Sequence, residues 1–192
     1  TITPDEITEE MLSKYQCIYI EGYLLVNEPL VRSTMEKAKK LGLKVALDLS
    51  NFNIVNAFKG MLEDIIPKYV DILFSNESEA EAFTGQKAAE AVHTLSELVE
   101  VSLVTLGKEG ALIGSHGQFY SVPAEGGKPV DTTGAGDNFA AGFLYGQSIG
   151  ASLVQSARIG SMLAGYVIDV VGPEIPYDKW EQIKLKVKGI LA

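Results

Sequence analysis

The residues of this chain best suited to chemistry lie together in Val130-Asp131-Thr132-Thr133-Gly134-Ala135-Gly136-Asp137. Gly134, Ala135 and Gly136 are small enough for the backbone to turn sharply and come close to a ligand. A helix beginning at Gly134 points its first, unpaired amides outward at the positive end of its dipole, which suits an anion such as phosphate. Asp137 falls in the same turn, where a carboxylate could take a proton from a hydroxyl beside that anion. The same residues also permit a plainer arrangement, a helix after a glycine-rich turn with Asp137 complementing its dipole.

Two further loops follow apolar strands, and ligands of open α/β sheets bind beyond the carboxyl ends of strands. Val70 to Phe74 delivers Asn76 and Glu79, whose spacing puts them on one side of a helix start. Taken alone, that pair reads as a helix cap with Glu79 reaching back. Val101 to Leu106 delivers Thr105-Leu106-Gly107-Lys108-Glu109-Gly110, by itself an ordinary turn. Glu77, Glu81 and Lys108 read as solvated, Met162 and Tyr166 as core, and Cys17 as a structural thiol. His93 and His116 are isolated and lack metal-like spacing.

Positioning these loops requires a particular order of elements. Strands are expected at Gln16 to Glu21, Leu43 to Leu49, Val70 to Phe74 and Val101 to Leu106. Between them, helical periodicity predicts helices over Glu28 to Leu41, Phe52 to Ile66 (stopped by Pro67), Glu77 to Phe83 and Ala88 to Glu100. Apolar strands alternating with amphipathic helices imply an α/β fold with a mainly parallel sheet covered on both faces. Ala111 to Gly114 and Gln118 to Val122 flank a hairpin turn. Helices over Gly134 to Ile149, Ser152 to Val171 and Asp178 to Ile190 complete the chain. Its 192 residues, 46% hydrophobic, suffice for one domain. A net charge of −9 argues against nonspecific nucleic-acid binding. No apolar run reaches the roughly 18 residues of a membrane span. With no signal peptide and one cysteine, a cytoplasmic location is expected. The chain begins at Thr1, which suggests processing or truncation.

The string from Asp131 to Asp137 resembles the carboxy-terminal signature of the ribokinase-like (PfkB) carbohydrate and nucleoside kinases, and the resemblance extends over nearly the whole chain. It implies a three-layer α/β/α fold and an ATP-dependent transfer of phosphate to an alcohol group of a nucleoside or sugar. On this resemblance Asp137 is the catalytic base, and the amides of Gly134, Ala135 and Gly136 form the anion hole. Asn76 and Glu79 resemble the family's N-x-x-E motif, which helps hold Mg2+ and its waters near the nucleotide phosphates. Thr105, Gly107 and Gly110 resemble its T-x-G-x-x-G nucleotide loop. Asp131 and the Thr133 carbonyl fall where the family builds a monovalent-cation site, for K+ for example, although Asp131 could equally just fix the turn. Ser161 stands where relatives place a residue near the adenine, often Asn or His.

Ala46 to Phe52 and Tyr69 to Glu77 look most like adenosine kinases, although Asn51 and the lack of a proline before Phe52 depart from that pattern. The alternatives are a ribokinase- or fructokinase-like sugar kinase, or a non-catalytic nucleotide-binding module. Family members are usually longer, with an amino-terminal Gly-Gly signature, a β-lid and most acceptor contacts, none of which is present here. Gly126-Gly127 cannot stand in for that signature. Residues 1–192 are therefore expected to form the nucleotide-binding and catalytic carboxy-terminal part. The expected partner is a small molecule, with an uncovered sheet edge open to self-association. Alone, the chain is expected to bind ATP weakly and to phosphorylate negligibly.

Overall fold

The computed structural model describes residues 2–192. The elements, in chain order, are α1 (Glu9–Leu12), β1 (Cys17–Glu21), α2 (Glu28–Lys40), β2 (Lys44–Asp48), α3 (Phe52–Ala57), α4 (Lys59–Tyr69), β3 (Ile72–Asn76), α5 (Glu77–Thr84), α6 (Ala88–Ser96), β4 (Val101–Thr105), β5 (Ala111–Ser115), β6 (Gln118–Val122), α7 (Ala135–Ser148), α8 (Leu153–Val167) and α9 (Trp180–Leu191). The chain divides into two compact units. One takes the residues up to Val104 together with Ile113–Phe119, and the other takes Thr105–Leu112 with Tyr120–Ala192.

The six strands form one sheet in their chain order. Strands β1, β2 and β3 are parallel, in a register that sets Glu21 opposite Asp48 and Asp48 opposite Phe74. Successive strand residues point to opposite faces, yet Val45, Ala46 and Leu47 are all fully buried, so both faces of β2 are covered. Helix α2 forms where expected. Asn27 accepts from the Leu30 amide at its start, and its buried stripe is Leu30, Val31, Met35 and Ala38. β1 closes one edge of the sheet. Around it in sequence Tyr15, Tyr23, Leu24 and Val26 are exposed.

Several boundaries differ from expectation; α6, for one, ends at Ser96 rather than Glu100, where the Glu97 and Leu98 amides turn back to the Thr94 and Leu95 carbonyls. The single helix predicted over Phe52 to Ile66 is two, because the backbone at Phe58 (φ −115°, ψ 20°) leaves the helical region. Gly60, a weak helix former, follows two residues later. Pro67 does not stop α4 but lies inside its last turns. The carbonyl it leaves without a donor belongs to exposed Glu63, where water can serve instead. Helix α8 ends at Val167 rather than Val171. There the Ile168 carbonyl accepts the Val130 amide at 2.8 Å and the Asp169 carboxylate accepts the Lys128 amide at 2.7 Å, bonds that draw the segment out of the helix.

In the second unit α7 and α8 pack backbone to backbone. A β-carbon on Gly142 would sit 2.7 Å from the Gly160 Cα, so the contact requires glycine. On its other side α8 packs Ile159, Met162, Leu163 and Val167 against Ile183, Val187 and Ile190 of α9. Each fully buried aliphatic side chain there contributes about 1.5–3 kcal/mol, which holds α8 firmly as a platform.

Candidate active site

The start of α7 is shaped by the signature that precedes it. Asp131 Oδ1 accepts the Thr133 amide at 3.0 Å and its hydroxyl at 2.7 Å, while Oδ2 accepts the Gly172 amide at 2.9 Å. The Gly172 amide, then the Thr133 bonds, hold the Asp131 carboxyl below its ordinary pKa. Gly134 then takes a left-handed turn (φ 77°), and a β-carbon there would lie 2.7 Å from Pro173 Cβ. No side chain caps the helix. The Ala135 amide, expected to face an anion, already donates to the Thr132 carbonyl at 3.2 Å. Among the described residues, the amides of Gly134, Gly136 and Asp137 have no protein acceptor. Asp137 is exposed, and its carboxylate makes no hydrogen bond or ion pair to another described residue.

Beside this helix start the second unit holds a cavity of about 560 Å³. That is within the roughly 300–1,000 Å³ of small-molecule sites. Thr105, Gly107 and Gly110 line it together with Ala135, Gly136 and Ser161. The loop from Thr105 is tight: the Leu106 amide donates to the Gly110 carbonyl at 2.8 Å, and Gly110 (φ 99°) closes it. Lys108, discounted in the sequence, also lines the cavity and has no carboxylate partner among the described residues. Sequence reasoning missed two walls, Ala124–Gly127 and the pair Phe139 and Ile168. Gly126-Gly127 was a visible clue, but a glycine pair alone says nothing about what it faces.

Asn76 and Glu79 belong to the first unit, at the end of β3. They form a reciprocal cap. The Asn76 amide donates to Glu79 Oε2 at 2.9 Å and its side-chain nitrogen to Oε1 at 2.6 Å, while the Glu79 amide donates back to Asn76 Oδ1 at 3.0 Å. Burial pushes the Glu79 carboxyl up to about 7, and the Asp48 carboxylate pushes the same way. Asp48 accepts the Tyr19 hydroxyl at 3.2 Å and the Ser50 amide at 2.6 Å. Ser50 holds φ 63°, a strained conformation for a non-glycine residue at the carboxyl end of β2. Asn51, which departs from the adenosine kinase pattern, caps α3 through the Asn53 amide at 2.8 Å.

Metal binding fits these residues unevenly. Glu79 accepts one bond from Asn76 on each oxygen and is only 4% exposed, so its burial leaves little of the carboxylate within reach of Mg2+. No group of three or more metal-ligating His, Cys, Asp or Glu side chains occurs among the described residues. Asp131 fits better. Three of the roughly four acceptor positions of its charged carboxylate are used, leaving one for a monovalent cation. No helix among the described residues is long and apolar enough to cross a membrane.

Comparison with known proteins extends these local findings to the whole chain. The profile of the pfkB family carbohydrate kinases matches residues 1–180. The adenosine kinase of Saccharomyces cerevisiae is 31% identical, the alignment covering 92% of this chain and 57% of that protein. The crystal structure of adenosine kinase from Sinorhizobium meliloti superimposes with a TM-score of 0.90 at 29% identity, over 96% of this chain and 58% of that one. Ribokinase from Thermotoga maritima gives a TM-score of 0.75 at 26% identity, over 97% and 61% respectively. The fold is thus the ribokinase-like α/β architecture, and the chain spans under two thirds of the length of each of these relatives. From the profile match and the shared architecture together, this chain belongs to the PfkB family of carbohydrate and nucleoside kinases.

Proposed function

We propose that the chain is the nucleotide-binding and phosphoryl-transfer part of an ATP-dependent kinase whose acceptor is an alcohol group, with adenosine the favoured acceptor. One observation carries the reading. At the start of α7 three amides without a protein acceptor and an unpaired carboxylate share one turn, beside a cavity of about 560 Å³. In this reading the nucleotide lies in that cavity, with its phosphates toward the amides of Gly136 and Asp137 and the loop Thr105 to Gly110. Asp137 takes the proton from the acceptor hydroxyl as its oxygen attacks the γ-phosphorus in line. The bond from that phosphorus to the β-phosphate oxygen breaks, and ADP leaves. Phosphoryl transfer depends mainly on positioning and on stabilising charge, which the helix start supplies.

Magnesium accompanying the nucleotide would neutralise its phosphates. Asp131 and the Thr133 carbonyl would hold a monovalent cation close to the same helix start. The choice of adenosine rests on Ala46 to Phe52, on Tyr69 to Glu77 and on the adenosine kinases among the relatives. The test is a coupled assay of the chain joined to the amino-terminal portion its relatives possess, with adenosine, ribose and fructose each offered alongside ATP. Adenosine should be the best acceptor. Preference for either sugar would reassign the acceptor, and turnover of none would remove the kinase reading. The chain by itself should bind MgATP weakly and leave adenosine unphosphorylated, since closure over the acceptor completes such sites.

A further inference from the structure

Position 161 lies on the cavity-facing side of α8, and Ser161 itself is only 7% exposed. Its hydroxyl donates to the Pro123 carbonyl at 2.9 Å and accepts the Glu125 amide at 3.0 Å. A serine hydroxyl has one proton to give, and here a backbone carbonyl takes it. Nothing remains to donate to a nucleotide base. The segment it grips, Pro123 to Gly127, has no regular secondary structure, and its residues from Ala124 on form one wall of the cavity. That wall also touches α8 directly. A β-carbon at Gly165 would lie 1.8 Å from the Glu125 carbonyl oxygen, so segment and helix meet with no room for any side chain.

We infer that Ser161 is a positioning residue for the donor nucleotide. Its hydroxyl fixes the Ala124–Gly127 wall against which the base lies, and the base is held by the shape and backbone of that wall rather than by the side chain at 161. This inference rests on the nucleotide reading of the cavity. It has a consequence that direct contact would not have. Freeing the wall weakens every purine nucleotide alike, because adenine and guanine press on the same surface. Removing a residue that reads adenine directly weakens ATP alone.

The experiment is an amide NMR titration of the chain with MgATP and, separately, MgGTP, a method that reads weak binding. Ser161→Ala strips both bonds, so the wall loses its side-chain tether to α8. It should raise both dissociation constants by a similar factor, on the order of tenfold. Gly165→Ala pushes the same wall from its other contact and should weaken both nucleotides together as well. Far-UV circular dichroism of each variant reports that the fold survives. A loss confined to MgATP in Ser161→Ala, or no loss in either variant, would overturn the inference while leaving the nucleotide reading intact. Failure of the unaltered chain to bind either nucleotide would overturn the nucleotide reading, and this inference with it.

Discussion

Helices α5 and α7 both begin where a ligand could be held, and they begin in opposite ways. At α5 the cap is reciprocal and closed: Asn76 and Glu79 satisfy each other's amides, and Glu79 is buried beneath them. At α7 a left-handed glycine precedes the first residue, no side chain caps the helix, and the amides of Gly134, Gly136 and Asp137 have no protein acceptor. A closed start contributes stability, about 1 kcal/mol for a good cap. An open start forgoes that stabilisation and keeps its positive end available to an anion. The difference separates a helix end that serves the fold from one that, in the proposed function, serves the reaction.

Changes at the open start should therefore damage catalysis, and changes at the closed start should damage stability. The largest effect is expected at Asp137. In the enzyme containing the amino-terminal portion, Asp137→Asn should lower kcat by a factor on the order of 10² to 10⁴ with little change in ATP affinity. Turnover within about threefold of the unaltered enzyme would remove Asp137 from the role of base.

A smaller effect belongs to Glu79, and it depends on pH. Its folded-state pKa of about 7 lies above its ordinary value of 4.5, so the native state binds the proton more tightly than the unfolded chain. Stability from this group is complete below pH 4.5 and is lost as pH rises through about 7. In metal-free buffer the chain should lose on the order of 3 kcal/mol across that window. Glu79→Gln keeps a capping side chain without the titration, so urea unfolding between pH 5 and pH 8 should show a flatter profile. An equally steep profile in the variant would assign the pH dependence to other groups.

The smallest effect is at Asn76. Asn76→Ala should cost about 1 kcal/mol of unfolding free energy by opening the cap, read as a shifted urea midpoint. A variant as stable as the parent would mean that the reciprocal bonds contribute nothing net.

Much of this contrast was legible in the residues, though not its outcome. Asn76 and Glu79 fitted both a cap and a cation-binding motif, and spacing alone could not separate the two. The folded chain shows the reciprocal cap and a buried Glu79, and that burial comes from tertiary packing. The glycines before Asp137 announced an open helix start, yet only the folded turn shows the Ala135 amide spent on Thr132 and the Asp137 amide left free. The hairpin was read correctly because His116 and Gly117 supply the two positive φ angles that a tight two-residue turn needs. The end of α8 was misread because bonds to Lys128 and Val130, distant in sequence, decide it. Ser161 was placed near the base by resemblance, but its commitment to Pro123 and Glu125 is invisible until those backbones are in position.

The central claim is that the open start of α7 holds the nucleotide phosphates, and Gly136→Val tests it most directly. A β-carbon at Gly136 meets no protein atom within 4 Å, so the fold should tolerate the change, while the branched side chain crowds the space in front of the amides. The measurement is an amide NMR titration of the parent chain and of this variant with MgATP. For the parent, the account predicts shifts centred on residues 134–138 and 105–110; for the variant, an unchanged fold and no saturable shifts. A folded variant that binds MgATP within about threefold of the parent, through the same amides, would contradict it.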